Sequence, residues 1–87
     1  MLICSVVGHV WATKKKEDLN GHKLMIVKEY SKTGGNEHIL VAADLVGAGV
    51  GENVLVVTGS TARTVSGQND VPVDSAIVGI IDSMEML

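Results

Sequence analysis

The chain has 87 residues, a formal net charge of -3 at pH 7, 46% hydrophobic residues and only 2% aromatic ones. An acidic balance offers a phosphate backbone no overall attraction, so nucleic acid is not an expected partner. A chain this short buries only about 60–65% of its unfolded surface, and its single cysteine, Cys4, excludes a disulfide network, so association with other chains is the expected source of extra stability.

Residues 2–13 mix Ile, Val and Trp without a helical stripe, and their β-branched content predicts a long first strand. Alternation sorts it into one set of Leu2, Cys4, Val6, Val10 and Ala12 and another of Ile3, Ser5, Val7, His9 and Trp11. Both sets carry apolar side chains, so both faces need cover. The run reads as neither a signal peptide nor a membrane span: Ser5, Gly8 and His9 interrupt it, and Lys14, Lys15 and Lys16 follow rather than precede it. No membrane partner is expected. Cys4 fits a reducing compartment as a small buried hydrophobe.

Residues 14–21 form an expected surface loop ending in the turn-prone Asn20-Gly21. Residues 23–30 are a second strand, Gly34-Gly35 a turn, and residues 37–43 a third strand, which together read as a hairpin. The glycine-spaced stretch Gly47, Gly49, Gly51 comes next, and then residues 53–58 as a fourth strand, with an apolar run at Val54, Leu55, Val56 and Val57. The three glycines are expected to supply positive φ or close backbone approach, Gly49 among them. The apolar run is expected to be buried on both faces, one of them by something outside the protomer.

Residues 59–65 are expected to start a short helix with Ser60 as its N-cap, and residues 66–72 read as a polar loop. Asp74 is placed to cap a turn, and residues 76–82 form a fifth strand in which Gly79 permits a bulge or a close contact. Five short strands with one small helix predict an all-β fold, a compact five-stranded barrel of the oligonucleotide-binding (OB-like) type, in a single domain over residues 1–87. Closure would also remove exposed strand edges.

No residue set carries a catalytic or cofactor reading. The spacing of Gly47, Gly49 and Gly51 is not that of a dinucleotide fingerprint, which needs its third glycine one place later and a helix opening on it. His9, His22 and His38 lack metal-ligand spacing, and Cys4 has no second thiol. Ser60 sits in a Gly-Ser-Thr-Ala context, which suits a capping hydroxyl rather than a nucleophile. Asp44, Asp74 and Asp82 each flank a strand, where carboxylates take loop amide hydrogens, and nothing selects a pair of them for catalysis. Arg63, the only arginine, is read either as an ion-pair partner of Asp44 or Glu52, within or between subunits, or as a solvated helix residue. Trp11, alone in an acidic chain, favours packing or interface burial over base stacking.

Several segments in this order resemble one known family. They are Val6-Val7-Gly8 with Val10, Leu19 through Gly21 to Lys23-Leu24-Met25 and Val27, the stretch from Asp44 to Arg63, and Pro72-Val73-Asp74 followed by Ala76-Ile77-Val78-Gly79-Ile80-Ile81-Asp82. Nearly the whole chain is similar to the small vertex proteins of bacterial microcompartment shells, which include the carboxysome and ethanolamine-utilisation pentamers. The resemblance implies an OB-like barrel assembled into a ring of five, rather than six, at the corners of a cytoplasmic shell whose facets are tiled by sixfold proteins. It implies a structural protein, not an enzyme, with no cofactor and no metal. It also implies that Gly47, Gly49 and Gly51, with Gly59, Ser60, Thr61, Ala62 and Arg63, lie near the ring axis and the subunit contacts. Thr61 departs from the family's usual serine, and Ala43 stands where the family often has valine. The rival reading from the residues is a monomeric OB-like barrel binding nucleic acid or oligosaccharide, which calls for a basic, aromatic-rich strand face that this chain lacks.

Overall fold

The computed structural model describes residues 1–11, 23–30, 38–59, 62 and 74–84. It contains five strands: β1 (Leu2–His9), β2 (Lys23–Glu29), β3 (Ile39–Asp44), β4 (Asn53–Thr58) and β5 (Ser75–Ile81). They close into a barrel in the order β1-β2-β3-β5-β4, with β4 hydrogen-bonded back to β1. Every pair is antiparallel except β3 with β5, which run parallel over Ala43↔Ala76 and Asp44↔Ile77. The all-β barrel expected from the sequence is therefore the fold. The loop at 14–21, the turn at Gly34-Gly35 and the polar segment 66–72 lie outside the described residues.

Alternation decides what fills the barrel. Cys4 and Val6 of β1, Met25 and Val27 of β2, and Val54 and Val56 of β4 point inward at two-residue spacing, and all are fully or almost fully buried. Ala42 and Ile77 complete the layer from β3 and β5. Branched residues dominate because they fit a pleated wall with little rotamer freedom to lose. Each such side chain contributes about 1.5–3 kcal/mol on full burial.

Two bulges break the alternation. On β1, Val6 pairs with Val27 but Gly8 pairs with Ile26, so Val7 is an extra residue. The phase of β1 therefore changes after Val6: His9 pairs with Met25 rather than continuing the outward set of Ile3 and Ser5. The strand ends at His9, short of the expected residue 13, although the Val10 N–H still donates to the Leu24 carbonyl at 3.0 Å. On β5, Gly79 pairs with Leu55 and Ile77 with Val56, which leaves Val78 as the extra residue beside Gly79.

A second, smaller core lies on the outer side of the sheet. Ala76 is flanked by Ala43 on β3 and Val57 on β4, and these three pack with Ala62. The expectation that something outside the protomer covers the second face of β4 is thus corrected at Val57, which is 7% exposed and covered by the chain's own Ala62. Leu55, two residues earlier on that face, is half-buried.

Cys4 is buried in the barrel interior and opposite Glu29 in the ladder. Burial pushes its thiol above the ordinary value of 9.0, and the Glu29 charge adds to the effect. The folded state disfavours the thiolate, so this contribution to stability is complete below the unfolded thiol's pKa and is lost as pH rises from there through the folded value. The melting temperature is expected to fall more steeply above about pH 9 in the native chain than in Cys4→Ala. Parallel melting curves from pH 7 to 10.5 test this, and identical slopes would remove Cys4 from the account.

Candidate subunit-contact site

The stretch between β3 and β4 is built from its backbone outward. One carboxylate oxygen of Asp44, Oδ1, accepts the Val46 and Gly47 N–H groups, both at 3.0 Å, which turns the chain as it leaves β3. Gly47 then takes φ +80°, and Ala48 folds back into the barrel, where it is 1% exposed and packs with the interior layer. The Gly49 N–H donates to Glu52 Oε1 at 2.6 Å, and the Glu52 N–H donates to the Gly49 carbonyl at 3.1 Å. Gly51 takes φ +94°. Its N–H donates to the Val6 carbonyl, and the Val6 N–H donates to the Glu52 carbonyl, each at 2.9 Å. The turn is therefore clamped to β1 at the residue where the β1 bulge begins, and it presents Val46 and Val50 to the outside.

Only two of the three glycines carry the conformation expected of them. Gly49 does not have positive φ, and a Cβ there would meet one atom, Glu52 Oε1, at 3.3 Å. That atom ends a flexible side chain. Gly47 and Gly51 have open space around a Cβ but sit where L-residues are strained. Gly51→Ala and Gly47→Ala are each expected to destabilise by about 1–2 kcal/mol, and Gly49→Ala by clearly less. In a domain of this size 1 kcal/mol is about 4–8 °C in melting temperature, so thermal unfolding resolves the order. Equal losses at all three positions would show that φ is not the constraint.

The second glycine motif closes the other end of β4. Gly59 has φ +70°, and its N–H donates to the Asp74 carbonyl at 2.7 Å, which ties the exit of β4 to the entry of β5. The Ala62 N–H donates to the Gly59 carbonyl at 3.1 Å, and Ala62 is fully buried on Ala43, Val57 and Ala76. Methyl-sized side chains at 43, 62 and 76 let Ala62 lie close on the sheet. Ala43 is thus the common point of the two motifs: it packs under Ala62, and the next residue, Asp44, starts the glycine turn. Ser60, Thr61 and Arg63, and the helix expected over 59–65 apart from Gly59 and Ala62, lie outside the described residues.

Asp44 Oδ2 is buried and has no hydrogen-bond partner among the described residues, while Glu52 Oε1 is taken by the Gly49 N–H. Of the two carboxylates considered for Arg63, Asp44 is the one with a buried oxygen left without a partner among the described residues. His9 stacks on Trp11 with ring centroids 6.1 Å apart, His38 stands 3.5 Å from Glu29, and His22 is outside the described residues. No three His, Cys, Asp or Glu side chains come together among the described residues as a metal site would require. Sequence reasoning missed Ala48 and Ala76, whose only signal was small size within apolar surroundings.

A family model described as "Ethanolamine utilisation protein EutN/carboxysome" matches residues 1–82. The carboxysome shell vertex protein CcmL of Synechocystis is 43% identical over 88 residues, covering 99% of this chain and 87% of the relative. The microcompartment shell vertex protein PduN of Salmonella typhimurium is 44% identical, covering 97% of this chain and 98% of the relative. The solved GrpN pentameric microcompartment shell protein from Rhodospirillum rubrum superposes with a TM-score of 0.84 at 38% identity, covering all of both chains. These relatives are microcompartment shell vertex proteins, a structural class and not enzymes, and the closed five-stranded barrel described above is the fold they share with this chain. The chain belongs to the EutN/carboxysome family within that class.

Proposed function

We propose that this chain forms a homopentamer that occupies the fivefold corners of a cytoplasmic microcompartment shell and closes it, seated among sixfold facet proteins. The observation that carries the reading is the apolar surface left outside a barrel that is already filled. Ile3, Val7, Ile39 and Val41 are 40–61% exposed on the outer wall and Trp11 is 90% exposed, although the interior layer is complete. Such a surface marks an association site. The pentameric state of the GrpN relative supports a ring of five in particular.

In this reading the two motifs, Gly47, Gly49 and Gly51 and then Gly59, Ser60, Thr61, Ala62 and Arg63, lie close to the ring axis and the contacts between protomers, Ala62 anchoring the second motif to its own barrel. The clamped turn suits such a place: it is fixed to β1 on one side and presents Val46 and Val50 on the other. Flat hexagonal tiling acquires curvature only where fivefold units are inserted, so the function is geometric and the solute barrier follows from it.

Light scattering on the purified chain at micromolar concentration tests the ring. The expected mass is five times the 9.1 kDa protomer. A monomer that shifts a nucleic-acid band would replace this reading with the binding barrel, and a hexamer would remove the corner geometry.

A further inference from the structure

Of the five strand pairs that close the barrel, four are antiparallel, and each holds four to six register pairs: β1 with β2, β1 with β4, β2 with β3 and β4 with β5. The fifth, β3 with β5, is parallel and holds two, Ala43↔Ala76 and Asp44↔Ile77. The wall is thus one antiparallel sheet in the order β3-β2-β1-β4-β5 whose two outer strands meet along a short seam. Parallel pairing is also slightly weaker per residue. Just past the seam the Leu45 N–H donates to the Ile77 carbonyl at 3.3 Å, beyond the usual range of about 2.7–3.2 Å.

Packing adds little along this line. Ala42 and Ile77 face the interior from its two strands, and Ala43 and Ala76 face outward, where Ala62 packs on both. A methyl group buries far less apolar surface than the valines that join β1, β2 and β4. At the end of the seam Asp44 Oδ2 is buried without a hydrogen-bond partner among the described residues, a cost that opening would relieve. Few backbone bonds, little apolar burial and an unsatisfied carboxylate oxygen therefore coincide, and each lowers the free energy of local opening.

What holds the seam shut comes from the two glycine motifs. Ala62, in the second, joins Ala43 to Ala76 from outside. Asp44 opens the first: its Oδ1 takes the Val46 and Gly47 N–H groups at the seam's end, and Ala48 packs into the interior layer with Ala42 and Ile77. We propose that the β3–β5 seam is the line along which this barrel opens, that it parts while the antiparallel sheet stays whole, and that ring formation closes it by fixing the two motifs that hold it. The closing step rests on the pentamer reading above, which sets both motifs near the contacts between protomers. A ring that takes up only closed barrels adds its association free energy to the seam, so barrel closure and assembly favour each other.

Thiol labelling under native conditions reads the seam. Ala42→Cys, made together with Cys4→Ala so that it carries the only thiol, reports from the inner side of β3, and the native Cys4 reports from β1, which has no part in the seam; both positions are buried. Each rate with a small aromatic disulfide is divided by that of the same thiol in the unfolded chain. The Ala42→Cys thiol is expected to react at least about tenfold faster than Cys4 and almost independently of urea, while Cys4 follows global unfolding. Ala62→Gly, which removes the methyl group joining the two strands, is expected to speed the Ala42→Cys reaction about tenfold. Across a concentration series followed by native mass spectrometry, with urea below the unfolding range added where dilution leaves the ring whole, the Ala42→Cys rate is expected to fall as the ring forms. Should Ala42→Cys fail to fold, hydrogen exchange of the Leu45 N–H against the Val6 N–H, which donates to the Glu52 carbonyl between β1 and β4, reads the same order. Equal protection of the two sites, or no effect of Ala62→Gly, overturns the seam. A rate that stays flat while the mass rises overturns its closure by the ring and leaves the pentamer standing. A chain that is monomeric at every concentration overturns the pentamer and the closing step together, and the order of labelling still decides the seam.

Discussion

Met25→Ala is expected to lower the free energy of unfolding by about 2–5 kcal/mol. Met25 heads the fully buried side chains by volume, has no exposed surface, and sits on β2 amid Cys4, Val6 and Val27. Its valine neighbours are held to narrow χ1 ranges by the strand backbone, so they cannot swing inward to fill the space left behind. Small domains have total stabilities of only about 5–15 kcal/mol, so this is a large part of the total. Met25→Leu, which roughly conserves volume, is expected to lose under about 1.5 kcal/mol. Urea titrations of all three proteins check this, at matched protomer concentration because association adds to the apparent stability of a ring. Superimposable curves for Met25→Ala and the native chain would mean that the barrel interior is not the main core.

How much of this was legible in the sequence varies along the chain. The limits of β4 follow from residues 53–58 because a glycine turn and Gly59 punctuate a continuous apolar run on both sides. The inward set of Cys4 and Val6 follows from alternation. Beyond Val6 alternation misleads, since the Val7 bulge is a property of the pairing with β2 and leaves no mark on β1 itself. Gly79 did mark the β5 bulge, although the extra residue is its neighbour Val78. Three glycines at equal spacing carry nothing to say which bear positive φ; the Asp44 turn and the clamp on Val6 assign it to Gly47 and Gly51. Val57 looked bare because its cover, Ala62, lies outside the strand, and alternation within β4 says nothing of what packs on it from elsewhere in the chain. The family was legible for a different reason: a series of turn and strand motifs in fixed order identifies a fold even where each motif alone is weak.

Deleting the chain from its host is expected to leave shells that assemble but do not seal, with elongated or leaky compartments. Facet proteins would keep their own lateral contacts, and only the fivefold corners would be missing. Activity of the enclosed enzymes in lysates is expected to be unchanged, because this chain belongs to a structural class and supplies no catalytic group. Complementation separates assembly from mere presence. A folded but monomeric variant should fail to restore closure, whereas Thr61→Ser, which keeps the hydroxyl and removes one methyl group, should restore it.

Electron cryotomography of the deletion strain carrying either the native chain or a folded monomeric variant tests the vertex assignment most directly. Closed polyhedral shells with fivefold density at the corners are expected for the native chain, and open or elongated shells without that density for the monomeric variant. Closed shells of native shape with the monomeric variant, or density from the native chain spread across the facets instead of the corners, would contradict it.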